Sequence, residues 1–171
     1  MAKINPEQQK AAAAVVNRYL PWSMGLGFLP MPLIVVGGLT AIQLKMLAEI
    51  SKVYGVEFAE NRARSVITSL LGAVVPAAIG GSIGGLLLAI PVVGPFLLPA
   101  TVPLLAGAAT YATGKTFIQH FESGGTYLDF DPAGAKSLFA ERFAEGKAEA
   151  GKVTSSFKSS LNAKLAEIVD L

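Results

Sequence analysis

Hydrophobic and polar positions divide the chain into four zones. The first, "NPEQQKAAAAVVNRYL", opens with Asn5 as a cap, Pro6 at the first helical position and Gln8 placed to reach back toward the cap. It predicts an amphipathic helix ending near Leu20, ahead of Pro21. In the second zone Pro21, Pro30 and Pro32 flank a glycine-rich apolar bend. A helical repeat of Ile34, Leu39, Ile42, Met46, Ile50 and Val53 then leads to Gly55, a suitable stop. After Pro30 only about fourteen uncharged residues precede Lys45, short of the ~20 that cross a bilayer. This helix is expected to dip into a membrane or lie on it, with a full span as the alternative.

The third zone is the longest. From Ser65 to Gly114, fifty positions, no side chain is charged. A hydrocarbon core about 30 Å thick takes ~20 helical residues per crossing, so the run fits two crossings and a turn. The expected hairpin has one arm from about Ser65 to Ala89 and another from about Pro95 to Gly114. Its joint is "IPVVGP", two prolines around a glycine. Pro76, Pro99 and Pro103 inside the arms are tolerable where neighbours re-satisfy the freed carbonyls.

After Lys115 the pattern becomes ordinary. "ESGGTYLDFDP" reads as a loop, with Asp131 as a cap and Pro132 as the first helical residue. Two helical stretches follow. The second carries one apolar stripe of Val153, Phe157, Leu161, Leu165 and Ile168, which implies docking on the N-terminal helix, another subunit or a headgroup surface.

Composition supports the membrane reading. Hydrophobic residues are 52% and charged residues 15%, with 18 glycines and 10 prolines, against roughly 25% charged in soluble domains. There is no cysteine and one histidine, His120, so thiolate and histidine-cluster metal sites are excluded. A net charge of +2 gives no case for nucleic acid. Segment 45–64 holds four basic and three acidic residues, and Lys115 follows the second arm, whereas the joint is uncharged. Both ends of the hairpin are therefore expected in the cytoplasm. Trp22, Arg64 and Lys115 mark the membrane boundary.

Small residues supply the packing candidates. Gly72, Gly80, Gly81, Gly84 and Gly85 recur near four-residue spacing on the first arm, and Ala106, Thr110 and Gly114 make a matching row on the second. Such rows let helices approach closely in lipid. Two uses remain open: the hairpin packing on itself, or lateral oligomerisation. Ser82, Thr101, Thr110 and Thr113 are the polar groups deep in the run and give a pore as the alternative function. Finally, "ATYATGKT" (Ala109 to Thr116) approximates a phosphate-binding loop. That chemistry needs a strand running into a glycine-rich loop at a helix start, and an apolar helical pattern precedes it here, so nucleotide binding is a remote third reading.

Trp22, the Pro30-x-Pro32 pair and "IQLKMLAEISKVYG", followed by "AAIGGSIGG", "IPVVG" and "AATYATGKTFIQHF", resemble the YcjF-like domain, a bacterial family of unknown function. The resemblance covers about residues 20 to 145. It implies a membrane-associated helical module, found alone or behind GTPase domains, hence a GTPase partner. It implies no catalytic residues. The combined expectation is an all-α membrane protein, a glycine-rich helical hairpin with amphipathic helices at both ends. Residues 1–20 would form the N-terminal helix, 21–130 the embedded domain with its hairpin at about 65–114, and 131–171 a cytoplasmic tail. Its function would be anchoring, scaffolding or membrane remodelling at the bacterial inner membrane as a homo-oligomer, with the C-terminus cytoplasmic. No enzyme activity and no cofactor are expected.

Overall fold

The computed structural model describes residues 5–29, 32–80 and 94–169, and all the regular structure among them is helical. The helices are α1 (Pro6–Leu26), α2 (Pro32–Tyr54), α3 (Glu60–Gly80), α4 (Gly94–Glu122) and α5 (Lys136–Val169). Local signals set most ends. Asn5 accepts the Glu7 amide at 3.0 Å, with Pro6 in the first turn. Gln8 does not reach back to the cap: its amide donates to the Val53 carbonyl at 3.1 Å, tying α1 to the end of α2. Gly55 closes α2 at φ 67°, and the Val56 amide bonds back to the Ser51 carbonyl. Gly124, at φ 86°, does the same for α4, with the Gly125 amide on the His120 carbonyl.

Several helices run past their expected limits. α1 continues through Pro21 to Leu26. A proline there costs the Asn17 carbonyl its helical partner, but Asn17 and Pro21 are both exposed and water can replace it. α4 continues past Lys115 to Glu122, and the two expected tail helices are one helix of 34 residues. Asp131 accepts the Ala133 and Gly134 amides, so it caps a turn, and α5 starts one turn later at Lys136.

Helix α4 is central and touches each of the other four helices. α1 runs antiparallel to it: Gly27 lies against Pro103, Gly107 against Met24, and Gly114 against Val16. α2 runs parallel to α4, with Gln43 near Thr113 and Tyr54 bonded to Glu122 at the shared end. α5 returns antiparallel on the other side, Gly146 against Ala108 and Ala150 against Gly107. α3 buries Ala63, Val66, Ile67 and Leu70 and touches α4 only slightly within the described residues.

The uncharged run is thus divided. At its two ends Val66, Ile67 and Leu70, and Ala106, Ala108, Ala109, Thr110, Ala112 and Thr113, are buried against other helices of the same chain. Burial in protein and burial in lipid exclude charge for the same reason, so the composition could not separate them.

The tightest approaches lie where glycine is replaceable only at a cost. A Cβ on Gly27 would sit 2.6 Å from the Pro103 backbone, whereas one on Gly72 would meet nothing within 4 Å. Gly27→Ala should therefore lower stability by about 1–3 kcal/mol. Gly72→Ala should leave it unchanged or raise it by about 0.5–1 kcal/mol, since alanine is the better helix former. Chemical denaturation of the two variants followed by circular dichroism checks the contrast.

Candidate functional site

Antiparallel packing gives the bundle two unlike ends. At one end α2 stops, α3 starts, and α4 and α5 are joined by a loop. This end is an aromatic and polar cluster. The Phe117 and Phe130 rings stack at 4.7 Å, and Tyr127, fully buried, lies 5.3 Å from both Phe117 and Phe121. The Tyr127 hydroxyl pairs with that of Ser51 at 2.8 Å. Burial pushes the phenol up to about 12, with the Ser51 bond opposing. His120 Nε2 donates to the Thr126 carbonyl at 2.8 Å, and its ring meets Phe130 edge-on. Asp129 accepts the Thr126 hydroxyl and amide, each at 2.6 Å, and these bonds hold its carboxyl below the ordinary range. A cleft of about 330 Å³ lies here, lined by Thr116, His120, Asp129 and Asp131 among others. Its polar groups bond chiefly to one another, so His120 acts as a latch for the loop. No cluster of three metal-ligating side chains exists among the described residues.

The opposite end is apolar and exposed. Trp22 is 70% exposed and Val36 65%, and Phe28, Leu29 and Ile34 are also open. They gather where α1 gives way to α2, and Gly27 in that bend lies against Pro103 of α4. Soluble monomers rarely group exposed apolar residues of this size. Ile34–Tyr54 of α2 is long and apolar enough to cross a membrane by length and composition, and it is the one such helix among the described residues. A third of it is buried inside the bundle, as a core helix would also be.

The packing candidates fall in three places. Ala106, Thr110 and Gly114 are buried, and Gly114 receives Val16 of α1 and Met46 of α2. Gly72 is open on its helix, and Gly80 ends α3. Gly81, Gly84 and Gly85, Ser82 and most of the expected turn lie outside the described residues. Of the boundary candidates, Trp22 is at the apolar end. Arg64 is exposed in the first turns of α3 and bonds Glu60 at 3.0 Å. Lys115 is half-buried within α4, its ammonium 5.6 Å from the Tyr111 ring centre.

Two expectations about α4 change. Ala109 to Thr116 is helical throughout, so its amides are committed to helix bonds and no phosphate-wrapping loop exists there. Thr110 and Thr113 are fully buried inside a single bundle, and Thr113 donates to Gln43 Oε1 at 3.4 Å. Nothing in the sequence indicated Gln43, which sits inside the bundle at 0% exposure. Gln43 Nε2 and the hydroxyls of Thr110 and Thr116 have no hydrogen-bond partner among the described residues.

Residues 2–147 match the family described as a domain of unknown function, DUF697. The chain belongs to the DUF697 family. This agrees with the YcjF-like resemblance in its sequence. The chain is similar to magnetosome membrane protein 22 of Magnetospirillum gryphiswaldense, 35% identical over 143 residues, covering 83% of this chain and 73% of that relative. No solved structure matches it. The DUF697 match spans α1 to α4 and ends at Lys147, before the exposed half of α5.

An unpaired buried hydroxyl costs about 1–3 kcal/mol. Thr110→Val should therefore keep or raise stability, as measured by thermal unfolding. At the other end the raised Tyr127 phenol means its contribution is complete below the ordinary value of 10 and is lost as pH climbs toward about 12. Tyr127→Phe should flatten stability over that alkaline window while lowering it near neutrality by about 0.5–1.5 kcal/mol.

Proposed function

We propose that the chain is a membrane-associated helical module that anchors or scaffolds at a bacterial inner membrane. The observation that carries this is the exposed apolar end: Trp22, Phe28, Leu29, Ile34 and Val36 share one pole of the bundle. The polar loops and the aromatic cluster occupy the other. In this reading the apolar pole and the uncharged segments leading from α3 to α4 enter the bilayer. The loop pole, with Glu57, Glu60 and Glu122, stays in the cytoplasm. The similarity to a magnetosome membrane protein supports the membrane assignment.

The action is mechanical, by holding and positioning. His120, Thr126, Asp129 and Asp131 at the loop pole are tied within their own loop, and the deep hydroxyls of α4 are enclosed, which supports a scaffold over an enzyme or a pore. Self-association through Gly72 and the glycines beyond it, and a cytoplasmic GTPase as partner, complete the proposal. The GTPase rests on the company kept by the resembling domain.

Carbonate extraction is the test. The wild-type chain should stay with the membrane pellet, and its lone Trp22 should be quenched by lipids carrying shallow spin labels. Paired Ile34→Asp and Val36→Asp substitutions should raise the extracted fraction severalfold, since each intramembrane acid costs up to about 2.5–3.5 kcal/mol. Release of the wild-type chain into the soluble fraction would sink the proposal.

A further inference from the structure

We infer that the distal half of α5, Val153 to Ile168, is a lipid-docking helix that prefers loosely packed, curved bilayers. This rests on the membrane reading above and adds a second, separate contact with the lipid surface.

Every residue from Thr154 to Ile168 is exposed, yet the segment is fully helical. Four free turns are marginal as an isolated helix in water. They would be stabilised by a surface that covers their apolar stripe. Phe157 is 71% exposed, and Leu161, Leu165 and Ile168 are open beside it. The stripe begins next to the apolar pole, because Val153 and Phe157 share a shallow groove with Pro21, the neighbour of Trp22.

The pattern favours lipid over a second copy. Apolar steps of four, four, four and three residues average about 3.75, away from the 3.5 repeat that keeps a left-handed coiled-coil seam in register. At about 100° per residue Lys158 and Lys164 fall on the two flanks of the stripe, where ammonium groups reach phosphates. A coiled coil would place oppositely charged pairs there. The far face is built from Ser155, Ser156, Ser159, Asn162 and Ala163, with Glu167 as its one charge. So few charges give weak attraction to an anionic surface, and binding must come from inserting Phe157, Leu161, Leu165 and Ile168. Insertion is easiest where curvature opens gaps between headgroups.

The chain has no cysteine and one tryptophan, so both contacts can be read in the full-length protein. Leu161→Cys, with Leu165→Cys as a second position, carries an environment-sensitive dye, and Ser159→Cys is the polar-face control. After reconstitution into neutral phosphatidylcholine vesicles with spin-labelled lipid, the dye at 161 or 165 should be quenched and the dye at 159 should not. Quenching should be at least about twofold greater in vesicles of about 30 nm diameter than in those of about 200 nm. Quenched Trp22 with an unquenched dye at 161 and 165 overturns the inference and leaves the membrane reading standing. Unquenched Trp22 as well removes both. Equal quenching at the two diameters overturns the packing preference. A dye signal set by the protein-to-lipid ratio, without lipid quenching, assigns the stripe to a second copy and overturns the inference.

Discussion

The bundle depends on how closely other helices can approach the backbone of α4. Ala106, Gly107, Ala108, Ala109, Ala112 and Gly114 give that helix almost no side-chain thickness over two and a half turns. Where a Cβ would meet Met24, Val16 or Ala150 at under 3 Å, there is no room for one. Side chains from α1, α2 and α5 therefore seat directly on α4, and dispersion contacts replace the bulk that leucines supply elsewhere. The same closeness encloses Thr110, Thr113 and Gln43, whose polar groups are retained inside at a cost the surrounding packing must offset.

Given that central helix, the two poles follow from chain direction. Antiparallel neighbours bring every charged loop among the described residues to one pole and the apolar α1–α2 bend to the other. The loop pole is closed by aromatic stacking around Tyr127 and by the His120 and Asp129 bonds to Thr126. Among the described residues the open pole has no such closure. A rigid, internally satisfied end and an unsatisfied apolar end on one bundle form an asymmetric object, suited to standing at an interface between two solvents.

What could be read from the sequence was mostly local. Asn5 with Pro6 as a helix start, Gly55 as a stop and the helical period of α2 act through neighbouring backbone atoms, and each appears where expected. The family resemblance was also legible. Features decided by distant partners were not. Pro21 reads as a stop until the exposed Asn17 carbonyl is seen to be free to find water. The apolar helical pattern before "ATYATGKT" already set the loop motif aside, but which helices its small residues admit, α1 and α2, was not legible. That Gly107 and Gly114 seat α1 was not legible in the uncharged run, because burial against a helix and burial in lipid leave the same trace. Gln43 gave no signal, since its partner Thr113 lies 70 positions away.

The seat of α1 has a consequence for the order in which the protein can be made. Val16 lodges against Gly114, 98 positions later, so α1 takes this seat only after α4 has been synthesised. Until then the seat that Val16 takes on Gly114 does not exist. Long-range contacts of this kind slow folding and prolong the exposure of apolar surface. α1 thus closes over a helix that did not exist when α1 was made.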